Sequence, residues 1–417
     1  MRLGDTANAA AQQYGRPLDG VRVMALEQMQ ALPYATQLLA RLGADVVKIE
    51  SPTGGDLGRS SLPAMKDPDG RQVGATFIRN NLNKRSVCID LKDPRGRQLV
   101  LDLAPHFDVI AENFKAGTIT RLGLGYDDIA AVHPAGIYLS VSGFGNTVET
   151  PYGDWPAFAS IVEAMSGIYA FMAKGDAPPV ANPVGALGDI SASLFATIGV
   201  LAALRHRDRT GEGQYVDIAM FDSLVAMTDI VTNFWSMGLR GGDVGPLILT
   251  TFRASDGWFV LQVVREFQFE ALVDLIGHPE WRSDARFATR QGWMDHLESD
   301  LRPAIESWAK GRTKLQACAD LSAAGLAAGP CCTDDEVVHD PHVAARNMLV
   351  EISRPDGVED PVLIPGNPVK LSKVAEGPET QMPWLGEHTD DVLSKDLGLS
   401  PEDIQRLRAD GVIGRRD

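Results

Sequence analysis

The run Gly185-Ala186-Leu187-Gly188-Asp189-Ile190-Ser191-Ala192-Ser193 offers a carboxylate, Asp189, at the head of a predicted helix. Leu194, Ile198, Leu201 and Ala202 recur at helical spacing after it, Arg205 and Arg207 close the segment, and Gly211 supplies a C-terminal stop. At a helix start the unpaired peptide N–H groups and the helix dipole keep a carboxylate ionised. Taken alone the position reads as an N-cap; placed against a substrate it is an acid-base group or a nucleophile. The adjacent thiols Cys331 and Cys332 are the other reactive pair. No histidine stands near them at ligand spacing, so no metal site is predicted. His133, at the end of the DDIAAVHP stretch, reads as structural.

The elements that position these groups alternate. VRVMAL is a strand, PYATQLLARL a helix that begins at Pro33 and stops at Gly43, and ADVVKIE a second strand. SVCIDL follows, then Asp93 as N-cap with Pro94 at the first helical position, then the strands FDVIAENF and GIYLSVSGFG around a helical YDDIAAV. Such alternation predicts an α/β fold, a doubly wound, Rossmann-like parallel sheet with helices on both faces, and QYVDIAM is expected to rejoin that sheet. Ligands of open α/β sheets bind beyond the carboxyl ends of the strands. Glu50, the Ile89 to Lys92 run, Asn113-Phe114 and the Ser142-Gly143-Phe144-Gly145 run all fall at such ends, so one shared crevice is predicted.

At 417 residues, two domains are the default. The pattern predicts a polar tail over 1–15, a large domain over 16–225, a smaller α+β domain over 226–345 and a return to the large domain over 346–417. The net charge of −16 argues against a nucleic-acid or anionic-membrane surface, while a local cluster of cations still suffices for one anionic ligand. Four cysteines without a CxxC pair, a polar N-terminal stretch without an apolar core, and no evident bilayer-spanning run predict a cytoplasmic protein with reduced thiols and no membrane partner.

Several blocks in order carry a family resemblance: PLDGVRVMALEQMQALPYATQLLARLGADVVKIESPTGGD, NKRSVCIDLKDPRGRQL, DVIAENFKAGTITRLGL, GALGD with AALRHRDRTGEGQYVDIAMFDS, and LGEHTDDVL. Together they resemble the class III CoA-transferases, the CaiB/BaiF type that includes formyl-CoA and carnitine CoA-transferases. The resemblance implies that Asp189 is the catalytic nucleophile and that coenzyme A, as substrate rather than tightly bound cofactor, lies along the strand ends. Gln30 and Ala31 then face the thioester, and Ile89, Leu91 and Lys92 hold the adenosine end. Asn113, Phe114, Lys115 and Arg121 contact the nucleotide and diphosphate, and Ser142, Gly143, Phe144 and Gly145 flank the pantetheine. Phe114 offers a flat apolar face, and Lys92 and Arg121 offer cations for phosphates. The resemblance also implies an interlocked homodimer, with acyl-CoA and a carboxylic acid as the small-molecule partners.

Three departures narrow what carries over. Ala31-Leu32-Pro33 replaces an Ala-Gly-Pro turn, which predicts a bulky side chain near the acyl site. Ser51 stands where the formyl-CoA enzyme has an adenine-contacting arginine, and no glycine-rich flap is visible around GDVGPLILTTFRASDGW. Oxalate and formate are therefore not the favoured acids. The implied chemistry is attack of Asp189 on an acyl-CoA, giving a mixed anhydride and then an aspartyl-CoA thioester, with backbone N–H groups near Gly143 or Gly188 for the oxyanion. The alternatives are an α-methylacyl-CoA racemase and a catalytically idle acyl-CoA-binding protein. The racemase needs a histidine shortly before the aspartate, and DWPAFASIVEAMSG has none. A nicotinamide-dependent dehydrogenase fails because the first turn, LEQMQALPYA, lacks a glycine for the pyrophosphate, and SGFGNTVE carries Val148 at the third glycine position.

Overall fold

The computed structural model describes residues 1–172, 177–181, 185–239 and 245–414. The chain divides into two compact units, Met1–Gly238 with Ala344–Asp417, and Leu239–Val343.

The first unit is built on a six-stranded parallel sheet: β1 (Arg22–Leu26), β2 (Asp45–Glu50), β3 (Lys84–Cys88), β4 (Val109–Glu112), β5 (Ile137–Ser142) and β6 (Tyr215–Ala219). Their spatial order is β3-β2-β1-β4-β5-β6, with Val23 opposite Val46 on one side and Val109 on the other. Alternation along β1 sends Val23 and Ala25 to one apolar layer and Met24 and Leu26 to the other, as a sheet covered on both faces requires. The first layer is closed by helices α1 (Ala31–Arg41) and α4 (Leu187–Thr210). The second is closed by α2 (Pro94–Leu103), capped by the Asp93 side chain on the Arg95 N–H, and by α5 (Thr389–Leu397) and α6 (Pro401–Ala409). The C-terminal segment adds a further layer of pairing beside β3, where Asp90 donates to Val412 O and Gly414 donates to Cys88 O.

Two expectations shift. The first helix begins at Ala31 rather than Pro33, because a proline is tolerated anywhere in the first helical turn, where its missing N–H has no intrahelical acceptor. The helix after Asp189 is long and apolar enough to cross a membrane by length and composition alone, against the expectation of no such run. Here it is a core helix. Gly188, Ala192, Ser193, Ala196 and Val200 face inward, and their small size lets α4 approach α1 closely. The stripe Leu194, Ile198 and Leu201 is the opposite, exposed face.

The second unit carries an antiparallel sheet of β7 (Ile248–Arg253), β8 (Trp258–Val263) and β9 (Ala327–Pro330) in the order β9-β8-β7, over an apolar cluster that includes Phe252, Phe259 and Trp293.

Candidate active site

The strand order reverses beside β1: the chain after β1 runs outward through β2 and β3, and from β4 it runs the other way. The loops leaving β1 and β4 therefore diverge and open a crevice, the switch point at which α/β sheets bind ligands. Asn113 bridges the two loops. Its Oδ1 accepts from the Gln28 N–H at 2.9 Å, and its Nδ2 donates to Gln28 O at 2.9 Å.

The β1 loop is held from below by buried charges. Met29 is in the left-handed region at φ 64° and donates its N–H to Asp56 Oδ1 at 2.8 Å. Asp56 pairs with Lys48 at 2.7 Å, and Glu27 accepts from Lys84 at 2.7 Å, all with fully buried side chains. Glu50 bonds Arg59 through both oxygens, at 2.7 and 2.6 Å. This strand-end acid is thus turned into the protein, where it is not available to a ribose.

A cavity of about 390 Å³ lies over the crevice, lined by Gln28, Met29, Ala31, Asn113, Phe114, Lys115, Ser142, Gly143, Phe144, Trp155, Phe158, Met220 and Asp189. A second, of about 300 Å³, is lined by Ser51, Ile89, Leu91, Lys92 and Leu122 and shares Gln28 and Phe114 with the first. Phe114 is thus a wall common to both. Gln30, Arg121 and Gly145 line neither cavity. Gln30 precedes the first residue of α1, Arg121 donates to Thr118 Oγ1 at 3.1 Å, and Gly145 donates its N–H to Ser142 Oγ at 2.9 Å. Leu32 is fully buried in the apolar layer under the sheet and does not line the cavity that holds Asp189, where a bulky side chain was expected. Part of the flap stretch, residues 242–244, lies outside the described residues.

Asp189 is the third residue of α4, not its cap. The residue before the helix is Ala186, in the left-handed region at φ 50° and without a side-chain acceptor. Capping comes instead from Glu163 on α3 (Ala159–Met165), whose Oε1 accepts the Gly188 N–H at 3.0 Å. That bond occupies the Gly188 N–H, so it is not available to an oxyanion; Gly143 still lines the cavity. Among the described residues the Asp189 carboxylate receives no hydrogen bond. Burial, followed by the neighbouring Glu163 charge, pushes it up to about 6. His133 is far from this chemistry in the fold: its Nε2 lies 3.0 Å from Phe107 O, before the start of β4.

The sequence reading missed Glu163, Trp155, Phe158 and Met220. Trp155, Phe158 and Glu163 all sit in DWPAFASIVEAMSG, whose one available signal was an acid inside an otherwise apolar helical run.

Comparison with known proteins is consistent across the chain. A model of the family described as CoA-transferase family III matches residues 18–389. The chain is 36% identical over 413 residues to a succinyl-CoA–D-citramalate CoA-transferase of Chloroflexus aurantiacus, covering 97% of this chain and 100% of that protein. It is 35% identical over 391 residues to a succinyl-CoA:mesaconate CoA-transferase of Haloarcula marismortui, covering 91% and 96%. The crystal structure of a CAIB/BAIF family protein from Brucella suis matches with a TM-score of 0.80 at 32% identity, covering 91% of this chain and 99% of that one.

Proposed function

The chain belongs to CoA-transferase family III, and we propose that it moves CoA from an acyl-CoA thioester to a carboxylic acid through covalent catalysis by Asp189. The observation that carries this mechanism is the Asp189 carboxylate lining a cavity at the strand-order switch, without a hydrogen bond from any described residue. An Asp189 oxygen attacks the thioester carbonyl carbon; the C–S bond breaks, leaving a mixed anhydride and CoA thiolate. The thiolate attacks the aspartyl carbonyl carbon, and the first acid departs as its carboxylate. An acceptor carboxylate attacks the aspartyl-CoA thioester and releases thiolate again. Attack of that thiolate on the acceptor's acyl carbon yields the new acyl-CoA and restores Asp189.

CoA is the substrate. In this reading its pantetheine and acyl parts take the cavity beside Asp189 and its adenosine end the one beside Ile89, Leu91 and Lys92, which is supported by Phe114 lining both. A short dicarboxylic acid is the favoured partner, since the relatives above are named for succinyl-CoA with citramalate or mesaconate. A homodimer is supported by the exposed apolar stripe Leu194, Ile198 and Leu201 on α4, which in isolation meets water. A cytoplasmic location is supported by its free cysteines.

The test is a panel of acyl-CoA donors against mono- and dicarboxylic acids, read by mass spectrometry for CoA exchange. Succinyl-CoA with short dicarboxylic acceptors is expected to react, and Asp189→Ala to be inactive. Hydroxylamine is expected to convert Asp189 to its hydroxamate only when an acyl-CoA is present. Transfer by Asp189→Ala at the parent's rate would sink the mechanism.

A further inference from the structure

Glu163 is buried, yet no cation pairs with it among the described residues. Its Oε1 accepts from the Gly188 N–H at 3.0 Å, and its Oε2 accepts from the Tyr169 hydroxyl at 2.7 Å, so both bonds come from neutral donors. A buried carboxylate without a counter-charge is costly to maintain, and among the described residues Glu163 is such a group, bonded to Gly188, the chain neighbour of Asp189. The approach is close. A Cβ at Gly188 would lie 2.8 Å from Val162 Cγ2 and 3.1 Å from Ala159 Cα, so α3 is seated directly on the first turn of α4.

Resting on the reading that Asp189 is the nucleophile, we propose that Glu163 is its positioning and priming residue. The Glu163 hydrogen bond to Gly188 fixes the first turn of α4, and its like charge destabilises the free Asp189 carboxylate relative to its uncharged, acylated form. Capping from a neighbouring helix also leaves Asp189 without capping duty, so its oxygens stay directed at substrate rather than at the helix's own N–H groups. Attack on the thioester removes the negative charge from Asp189 and with it the repulsion from Glu163. The same interaction that raises the free aspartate thereby favours the covalent intermediate.

The surroundings single out Glu163 as the source. The elements packed on α4 also bring Arg41, Asp217 and Asp222 and the phenols of Tyr34, Tyr138 and Tyr215. Arg41 is paired with Glu379 at 2.9 Å, and Asp217 accepts from the Asn146 and Thr147 peptides. Among these groups Glu163 is the one bonded to the first turn of α4, at the Gly188 N–H.

Glu163→Gln separates charge from shape, because the amide oxygen still accepts the Gly188 N–H. The readouts are the pH profile of kcat/KM for acyl-CoA, the thermal midpoint and hydroxylamine trapping of the acyl-enzyme. The acid limb is expected to move down by at least half a pH unit with the thermal midpoint near the parent's. Each unit of movement is expected to bring up to about a tenfold loss of plateau kcat/KM, the conversion of one pKa unit into a rate factor. A limb that stays in place while the variant is folded would overturn the inference. So would a parent limb in the ordinary aspartate range of about 4, which needs no variant to measure. An active Asp189→Ala would instead overturn the nucleophile reading itself, whereas an inactive Asp189→Ala beside an unshifted Glu163→Gln would remove only the role of Glu163.

Discussion

The hydroxyl of Ser193 donates to the carbonyl oxygen of Ala31 at 2.5 Å, and thereby ties α4, the helix of Asp189, to the head of α1. Ser193 lies one turn after Asp189 and is fully buried, its oxygen also 2.7 Å from Asp189 O. Ala31 lines the cavity, so this bond sets the spacing between the carboxylate and the loop it faces. Ser193→Ala removes the donor without adding volume. It is expected to cost about 1–2 kcal/mol, the worth of a buried hydrogen bond with its acceptor left behind. Urea unfolding measures that cost, and steady-state kinetics are expected to show a larger fall in kcat than change in KM.

Asp189 carries a stability cost whose pH dependence has a defined sign. Burial first, then the Glu163 charge, push its folded-state value up to about 6, above the unfolded reference of about 3.9. Above pH 6 the group is ionised in both states and the folded state bears the cost; below about pH 4 it is neutral in both and the cost vanishes. Asp189→Asn is therefore expected to be inactive yet more stable than the parent by about 1–3 kcal/mol at pH 8, with the gain fading as pH falls from 6 to 4. Thermal unfolding of both proteins across that range checks it. An equal gain at pH 4 and pH 8 would contradict the electrostatic account.

The parallel sheet and its strand ends were legible because apolar runs, caps and stops repeat with the right periods. Asp93 caps α2, and Gly211 ends α4 in the left-handed region at φ 77°, both as read. The face of α4 was not legible, since Leu194 and Ile198 on one side and Ala192, Ala196 and Val200 on the other are all apolar. Which side is buried depends on how closely α1 approaches, a tertiary matter. Glu163, Lys48 and Glu50 were missed as buried groups for a related reason. A charged residue within an apolar run has the pattern of a solvated face, and only distant partners such as Gly188, Asp56 and Arg59 turn it inward.

Glu50 is the site's acid-sensitive support. Burial alone would raise its carboxyl, but the Arg59 guanidinium, Lys48 and the Ser86 hydroxyl outweigh burial and hold it down at about 2. Because the folded value lies below the unfolded one, this stabilisation is complete above about pH 4.5 and is lost as pH falls from there toward 2. Glu50→Gln leaves Arg59 buried without a counter-charge. It is expected to cost about 3–5 kcal/mol at pH 7, with the deficit narrowing as pH falls through 4 toward 2. Urea midpoints at pH 7 and pH 3 measure the narrowing. A deficit that is constant over the range would assign it to packing rather than to charge.

On the proposed reading, Phe114 separates recognition of the nucleotide from recognition of the acid. Its ring walls both cavities, one holding Asp189 and the other Ile89, Leu91 and Lys92, while Asn113 beside it is committed to the Gln28 peptide. On the proposed reading the ring packs against the adenine end, a contact every acyl-CoA makes whatever its acyl group. Phe114→Ala is then expected to weaken all donors alike. Loss of one base-aromatic contact is worth about 1–3 kcal/mol, so KM for each acyl-CoA rises by roughly 5- to 150-fold. The KM of the acceptor acid, which does not carry the nucleotide, is expected to stay near the parent's. Measuring KM for two donors of different acyl length and one acceptor decides the matter: a rise confined to the acceptor, or to one donor, would place the acid rather than the nucleotide against Phe114.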